Sequence, residues 1–396
     1  MSSISKTISD KNENIDDFLN SMRRCTRCLL PETFPGIDFD QNGICNYCHS
    51  YQPMVVLGEE KFIQFLSKYK GKGNHYDCIV AFSGGRDSSY VLHQIVKKFG
   101  MRTLALTVDS GALTPEGYRN IEHAIKNLGI DHVWLRNDEK IKIAKQNGIT
   151  KFSGWIKNPS INTIVPVLNC GDKTMNLQMY KYASVHGIPL VIGGNNIGNA
   201  SIEQEHFKTG YMGIYPNERG EYSNIDKIKL AYYFGVEFFK NTDNYHWPIF
   251  KEYFSGYLVY MFESLLKPKN VDTVGFYDYI YWNENTILST ITNDLDWKGA
   301  DDTTTTWRID DSFYPLINYL YFRLVGFTEH DEMYSKLIRE GQITRDEAMN
   351  RCTSDHSPRI PSLIKIFKEL GVTKELVDSS VEKYRPSLLL EIKQTR

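Results

Sequence analysis

The pattern of apolar and polar positions is sharpest at residues 77–90, DCIVAFSGGRDSSY. Cys78–Phe82 is a short apolar run of the kind a buried strand needs. It breaks at Ser83-Gly84-Gly85-Arg86-Asp87-Ser88, after which helical spacing takes over through Tyr90, Val91, Ile95 and Val96 until Gly100. The same alternation continues downstream. Thr103–Val108 reads as a strand ending at Asp109-Ser110-Gly111. Pro115–Leu128 reads as a helix with Pro in its first turn and Gly129 as its stop, and His132–Leu135 as a third strand. After a less regular stretch, Met175–His186 is helical and Pro189–Ile192 is a strand closing on Gly193-Gly194-Asn195-Asn196. Alternating strands and helices predict an α/β fold, a doubly wound parallel sheet covered on both faces. Ligands of such sheets sit beyond the carboxyl ends of the strands, so the turns at 83–89, 109–111 and 193–196 are expected to face one edge.

The pattern changes outside this region. Residues 1–20 are a polar tail, and 21–58 hold two cysteine pairs. A helix at Glu59–Tyr69 then opens the nucleotide-type domain of 59–200. From 201 to 396 the chain is expected to be largely helical and rich in Tyr, Phe and Trp, notably at Ala231–Phe239, Tyr253–Leu266 and Tyr314–Val325. These aromatics read either as core or as a wall that stacks on a sugar ring or base. Thr344, followed by Glu347, is the capping signature of one further helix. Just before Tyr314, KGADDTTTTWRIDD places Arg308 and four Asp beside Trp307 at a helix start. It reads as a solvated loop or as an acceptor or phosphate site.

Chemistry enters first through cysteine. Cys25-x₂-Cys28 and Cys45-x₂-Cys48, separated by sixteen residues, have the spacing of a closed four-thiolate Zn²⁺ site, structural rather than catalytic. The whole chain has seven Cys, a net charge of −2 and no apolar run of membrane-spanning length. A reducing, cytoplasmic setting is expected, with neither a membrane nor bulk nucleic acid as partner. Cys170 reads as a buried spectator thiol or as a catalytic thiol that lacks a nearby partner.

The stretch at 83–89 is neither a Walker loop nor a dinucleotide loop, because it lacks G-x-x-x-x-G-K-[ST] and G-x-G-x-x-G. Two glycines between a strand and a helix let the backbone approach an anion, and the first-turn N–H groups point at it. Ser83, Ser88 and Ser89 add hydroxyl donors. Asp87 would repel bare phosphate, which points to Mg²⁺ between them.

The string Ser-Gly-Gly-x-Asp-Ser resembles the pyrophosphate loop of adenylating ATP pyrophosphatases. With CTRCLLPETFPGIDFDQNGICNYC, IGGNN and WRIDD…GQITRDEA beside it, the chain over about residues 21–350 resembles the N-acetyl sugar amidotransferase family of surface-polysaccharide and lipopolysaccharide biosynthesis. The resemblance implies ATP-dependent conversion of an acetamido to an acetamidino group, through an O-adenylated imidate from which ammonia displaces AMP. It implies ATP bound at Ser83, Gly84, Gly85, Asp87, Ser88, Ser89, Asp109, Gly194 and Asn195. Asp87 would hold Mg²⁺, and a cation among Arg86, Lys173 and Arg308 would act at the α-phosphate. The acceptor would be a nucleotide-linked N-acetyl sugar or a nonulosonic acid. Met1 is followed by Ser, and no nucleophile elbow is present, so a separate glutaminase subunit or free ammonia is expected to supply nitrogen. A tRNA-thiolating adenylating enzyme and a non-catalytic nucleotide-binding module are the competing readings.

Overall fold

The computed structural model describes residues 22–168, 174–194, 206–215, 222–240 and 246–394. Its centre is a five-stranded parallel sheet with spatial order β3-β2-β1-β4-β5. The strands are β1 (Cys78–Ala81), β2 (Thr103–Asp109), β3 (Asp131–Arg136), β4 (Leu190–Gly193) and β5 (Asp272–Gly275). Cys78, Ile79 and Val80 are buried on both sides of β1, as a central parallel strand requires. Its partners register as Val80 with Ala105 on one side and with Ile192 on the other. Strand order reverses between β1 and β4, where a doubly wound sheet opens its ligand crevice.

The helices follow the sequence pattern closely. After α1 (Glu59–Ser67), α2 (Arg86–His93) leaves the β1 turn and passes into one π-helical turn at Gln94–Lys98. The apolar period continues through that turn, which is why residues 89–99 read as a single helix. Helix α3 (Pro115–Leu128) begins where Thr114 Oγ1 accepts from the Gly117 amide and ends at Gly129 with φ +64°. Helices α4 (Asp138–Lys157) and α5 (Met175–Val185) complete the sheet's cover.

One element departs from the expected layout. β5 comes from the half of the chain read as helical, and pairs with β4 from Leu190↔Asp272 to Gly193↔Gly275. DTVG is four residues long with one clear apolar position, too short for periodicity to reveal. The longer helices that remain among the described residues are α6 (Asn224–Lys240), α7 (Trp247–Leu266, kinked at Phe262), α8 (Glu284–Leu295), α9 (Tyr314–Val325), α10 (Glu329–Arg339), α11 (Arg345–Asp355), α12 (Ile360–Leu370) and α13 (Lys374–Gln394). No helix among the described residues is long and apolar enough to cross a membrane.

Two large cores sit on this frame. One joins β1, α2 and α3 to Trp282, Trp297 and Trp307. The other joins the four paired cysteines to Phe34, Trp155 and the apolar faces of α9, α12 and α13. The cysteine module is therefore docked into the C-terminal helices. Arg345 of α11 donates to the carbonyls of Cys28 and Cys25 at 3.1 and 3.2 Å. Arg24 pairs with Asp331 of α10 at 2.5 Å, and His356 reaches the other oxygen of Asp331 at 2.7 Å.

Burial by itself would push the Asp331 carboxyl up, but His356, Arg24 and the Thr328 amide hold it well below the usual carboxylate range. A depressed carboxyl contributes stability above its unfolded pKa of about 3.9 and loses it as pH falls below that value. Melting temperature is expected to drop steeply below about pH 4. Asp331→Asn should flatten that acid limb and lower the neutral-pH plateau; an unaltered acid limb would contradict this role.

Candidate functional site

The turn after β1 is built so that only its backbone and small side chains face outward. Gly84 has φ +77°, and a Cβ there would stand 2.3 Å from the Gly117 carbonyl oxygen of α3. Its own carbonyl accepts from the Trp297 indole at 3.0 Å. Gly84→Ala must adopt a left-handed backbone and also push α3 away, so it is expected to abolish the ATP binding that the sequence leads one to expect of this turn, while most helicity remains. Isothermal titration with ATP and far-UV circular dichroism read the two effects separately; wild-type ATP affinity would contradict it.

Helix α2 starts at Gly85 with no side-chain cap, which leaves its first-turn amides available to a bound anion. Ser83 Oγ and Ser88 Oγ lie 3.0 Å apart across the loop. Ser83, Gly85, Asp87 and Ser88 line a cleft of about 660 Å³ at the carboxyl ends of β1, β2, β4 and β5. That volume lies within the range of roughly 300–1,000 Å³ usual for small-molecule sites. Gly193 and Gly194 form the β4 side, Met175, Asn176 and Tyr180 of α5 stand over it, and Thr306, Trp307, Arg308, Asp310, Asp311 and Tyr314 close the far wall.

The far wall is the WRIDD segment, brought here across more than half the chain. It is stitched to the loop after β2: Thr114 N donates to Asp310 O at 3.1 Å, Thr114 Oγ1 to Ile309 O at 2.7 Å and Ser312 N to Ala112 O at 2.8 Å. Arg308 takes a left-handed backbone, φ +46°, which costs a non-glycine residue of order 1 kcal/mol or more. Its Nε donates to Glu329 at 3.0 Å, and its guanidinium lies 4.4 Å from the Tyr314 ring centroid.

Asp310 is the residue that sequence reasoning passed over within a segment it had marked. A Cβ on Gly85 would meet the Asp310 carboxylate at 2.8–2.9 Å, so the carboxylate rests directly against the phosphate-type loop. Burial pushes the Asp310 carboxyl above its ordinary range and Asp87 adds to the rise, while the Ser83 hydroxyl and Arg308 oppose it. Two carboxylates, Asp87 and Asp310, thus face one loop, an arrangement suited to a hard divalent cation.

Other expected site residues have different placements. Arg86 is buried: it donates to Asp87 at 2.9 Å, to Glu284 at 2.9 Å and to Thr306 at 3.1 Å. Its guanidinium lies between the rings of Trp282 and Trp307, with centroids at 4.8 and 4.9 Å. Ser89 is fully buried and donates to the Gly85 carbonyl at 2.7 Å. The Asp109 carboxylate accepts from Tyr118, from Arg136 and from the Gly111 amide, and its side chain is not among those lining the cleft. Against the upward push of burial, those donors hold it below the usual range. Lys173, Asn195 and Cys170 lie outside the described residues. Arg86 and Arg308 are the cationic side chains among the described residues that line the cleft.

The four paired cysteines converge. Cys25 and Cys48 sulfurs are 3.9 Å apart, those of Cys28 and Cys45 3.7 Å, and all four lie within 4.8 Å of one another. Zinc with Zn–S bonds of about 2.3 Å sets tetrahedral S···S edges near 3.8 Å, so the buried thiols fit a single ion with no open position. Four buried thiolates without a cation would repel, which couples folding here to the metal. A strong chelator is expected to release one zinc per chain and to lower the melting temperature. An unchanged melt with no zinc released would remove the structural-metal reading.

No protein-family model matches the chain. It is 29% identical over 119 residues to an uncharacterized protein of Methanocaldococcus jannaschii, a match that covers 29% of this chain and 43% of that one. The chain thus spans less than half the length of this curated relative. Among solved structures it is similar to an NMN synthetase from Francisella tularensis (TM-score 0.24, 20% identity, 45% of this chain and 69% of that one). It is also similar to an NH₃-dependent NAD synthetase from Campylobacter jejuni (0.25, 15%, 52% and 94%). A third is a tRNA thiolase from Methanococcus maripaludis that carries a 4Fe–4S cluster (0.30, 14%, 85% and 96%). At these TM-scores the superpositions carry no inference about chemistry.

Proposed function

We propose that the protein is an ATP-dependent adenylating enzyme. It activates the acetamido oxygen of an N-acetyl sugar and replaces that oxygen with ammonia. The observation that carries the reading is the uncapped N-terminus of α2 behind the Ser83–Ser88 turn, at the strand-order switch of the sheet and opposite Asp310. An anion-binding loop next to two carboxylates suits a triphosphate with its metal better than it suits a simple anion.

In this reading the loop amides and the Ser83 and Ser88 hydroxyls hold the β- and γ-phosphates. Asp87 and Asp310 would hold Mg²⁺, which neutralises phosphate charge when bound. Gly194 would contribute to the nucleotide's side of the cleft. Arg308 lines the cleft and would act at the α-phosphate, and Tyr180 would offer a flat surface to a sugar. The amide oxygen attacks the α-phosphorus, and the bond to the bridging oxygen of pyrophosphate breaks, so pyrophosphate departs into the loop. Ammonia then adds to the imidate carbon. The carbon–oxygen bond breaks with its electrons going to AMP, and loss of a proton leaves the acetamidine. The ammonia comes from solution or from a separate glutaminase subunit.

The test is pyrophosphate release with ATP, Mg²⁺ and ammonium over a panel of nucleotide-linked N-acetyl sugars and nonulosonic acids, with tRNA as a separate arm. Acceptor-dependent release with a sugar whose mass falls by one unit supports the proposal. Release only with tRNA, or tight ATP binding with no release in any arm, would overturn it.

A further inference from the structure

A second, smaller cavity lies behind the far wall of the cleft. It measures about 30 Å³. Trp307, Arg308 and Tyr314 line both spaces, so these three residues form the partition between them. The same small cavity is also lined by Ser357 and Pro358, which are exposed in the turn between α11 and α12. It therefore lies between solvent and the back of the WRIDD wall.

Two buried polar atoms of its lining residues lack partners. Trp307 is 5% exposed, and its indole Nε1 has no hydrogen-bond partner among the described residues. Asn318 of α9 gives its amide nitrogen to Glu329 at 3.3 Å, which leaves Oδ1, also buried and without a partner there. Buried donors and acceptors left unmade are costly. One N–H and one carbonyl oxygen on the same small space call for an occupant that both accepts and donates. About 10–15 Å³ suffices for one water-sized molecule, so one or two fit here, and a sugar or a phosphate does not.

Charged side chains around the cavity already have counter-charges: Arg308 pairs with Glu329, Arg359 with Asp302 and His356 with Asp331. That balance favours a neutral guest over an ion. Ammonia, with one lone pair for the Trp307 N–H and three N–H bonds for Asn318 Oδ1 and the Thr303 and Thr305 hydroxyls, meets these conditions. Water would fit by size, but beside an activated imidate it would be a rival nucleophile.

We propose that this cavity is the ammonia site. Neutral ammonia enters past Ser357 and Pro358, is held between Trp307 Nε1 and Asn318 Oδ1, and meets the imidate from behind the wall while the nucleotide fills the cleft. Its lone pair makes the carbon–nitrogen bond as the carbon–oxygen bond breaks with its electrons, giving the amidinium and AMP.

This site depends on the adenylating reading of the Ser83–Ser88 turn, so the two half-reactions are measured apart. ATP–pyrophosphate exchange with Mg²⁺ and the N-acetyl acceptors, without ammonium, reports adenylation. Amidine formation against ammonium concentration reports the second step. Asn318→Leu removes the oxygen at nearly constant volume and is expected to raise the KM for ammonium about tenfold, the size of one hydrogen bond, with exchange unchanged. Thr305→Ala widens the cavity and is expected to admit methylamine as donor, which the wild type excludes by size. Should Asn318→Leu not fold, the methylamine arm decides alone. An ammonium KM unchanged in folded Asn318→Leu, or a wild type that uses methylamine as readily as ammonium, would overturn the proposal and leave a buried water only. No exchange in the wild type with any acceptor would overturn the adenylating reading, and the ammonia site with it.

Discussion

Exchange of Asp310 for asparagine is expected to cut acceptor-dependent pyrophosphate release by about a hundredfold or more, while the ligand-free protein melts slightly higher than the wild type. The two effects have one cause. The Asp310 carboxylate is enclosed against Gly85 and near the charge of Asp87, so its ionised form is penalised in the fold. A carboxyl with a raised folded pKa contributes stability that is present at acid pH and lost as pH rises through that pKa. Asparagine keeps the shape and removes the penalty, so the gain in melting temperature should appear at neutral pH and vanish in acid. It also removes half of the carboxylate pair that would hold Mg²⁺, so ATP with Mg²⁺ should no longer raise the melting temperature. Asp87→Asn is expected to lose release to a similar extent. Differential scanning calorimetry with and without nucleotide, together with the release assay, checks all three. Full activity in Asp310→Asn would leave Asp310 a packing residue.

The second large effect concerns stability. Glu284 is buried and accepts from Arg86 at 2.9 Å and from Arg351 at 2.8 Å. It ties the start of α2 to α8 and α11. Glu284→Ala leaves two guanidinium groups without their shared counter-charge, one of them fully enclosed between tryptophan rings. Removing one partner of a buried pair costs about 3–5 kcal/mol, and Glu284→Ala is expected to fall in that range. Urea unfolding should show a lower midpoint with an unchanged slope. The double variant with Arg86→Met should recover part of the loss, because the stranded charge goes with it. A shift below about 1 kcal/mol would show that solvent reaches the pair.

As a cation beside a Gly-rich turn, Arg86 is expected at phosphate. It does line the cleft, while its guanidinium is also held by Asp87, Glu284 and two indoles. Asp109 is comparable: its strand-end position was legible, but Tyr118 and Arg136, nine and twenty-seven residues away, claim its carboxylate. Such competition among side chains has no periodic signature.

What the sequence by itself determined is local. Runs such as CIVAF and TLALTV, the Thr114-Pro115 start and Gly129 stop, and the paired cysteines each specify a strand, a helix or a ligand set within one stretch of chain. Backbone sterics, hydrogen-bond periodicity and thiol chemistry act there over a few residues. Only the tertiary structure decided that WRIDD lies against the turn after β1, that β5 extends the sheet, and that the cysteine module is seated on α10 and α11. Those contacts join residues hundreds of positions apart, and their partners are chosen by shape, burial and charge in three dimensions, which no spacing along the chain records.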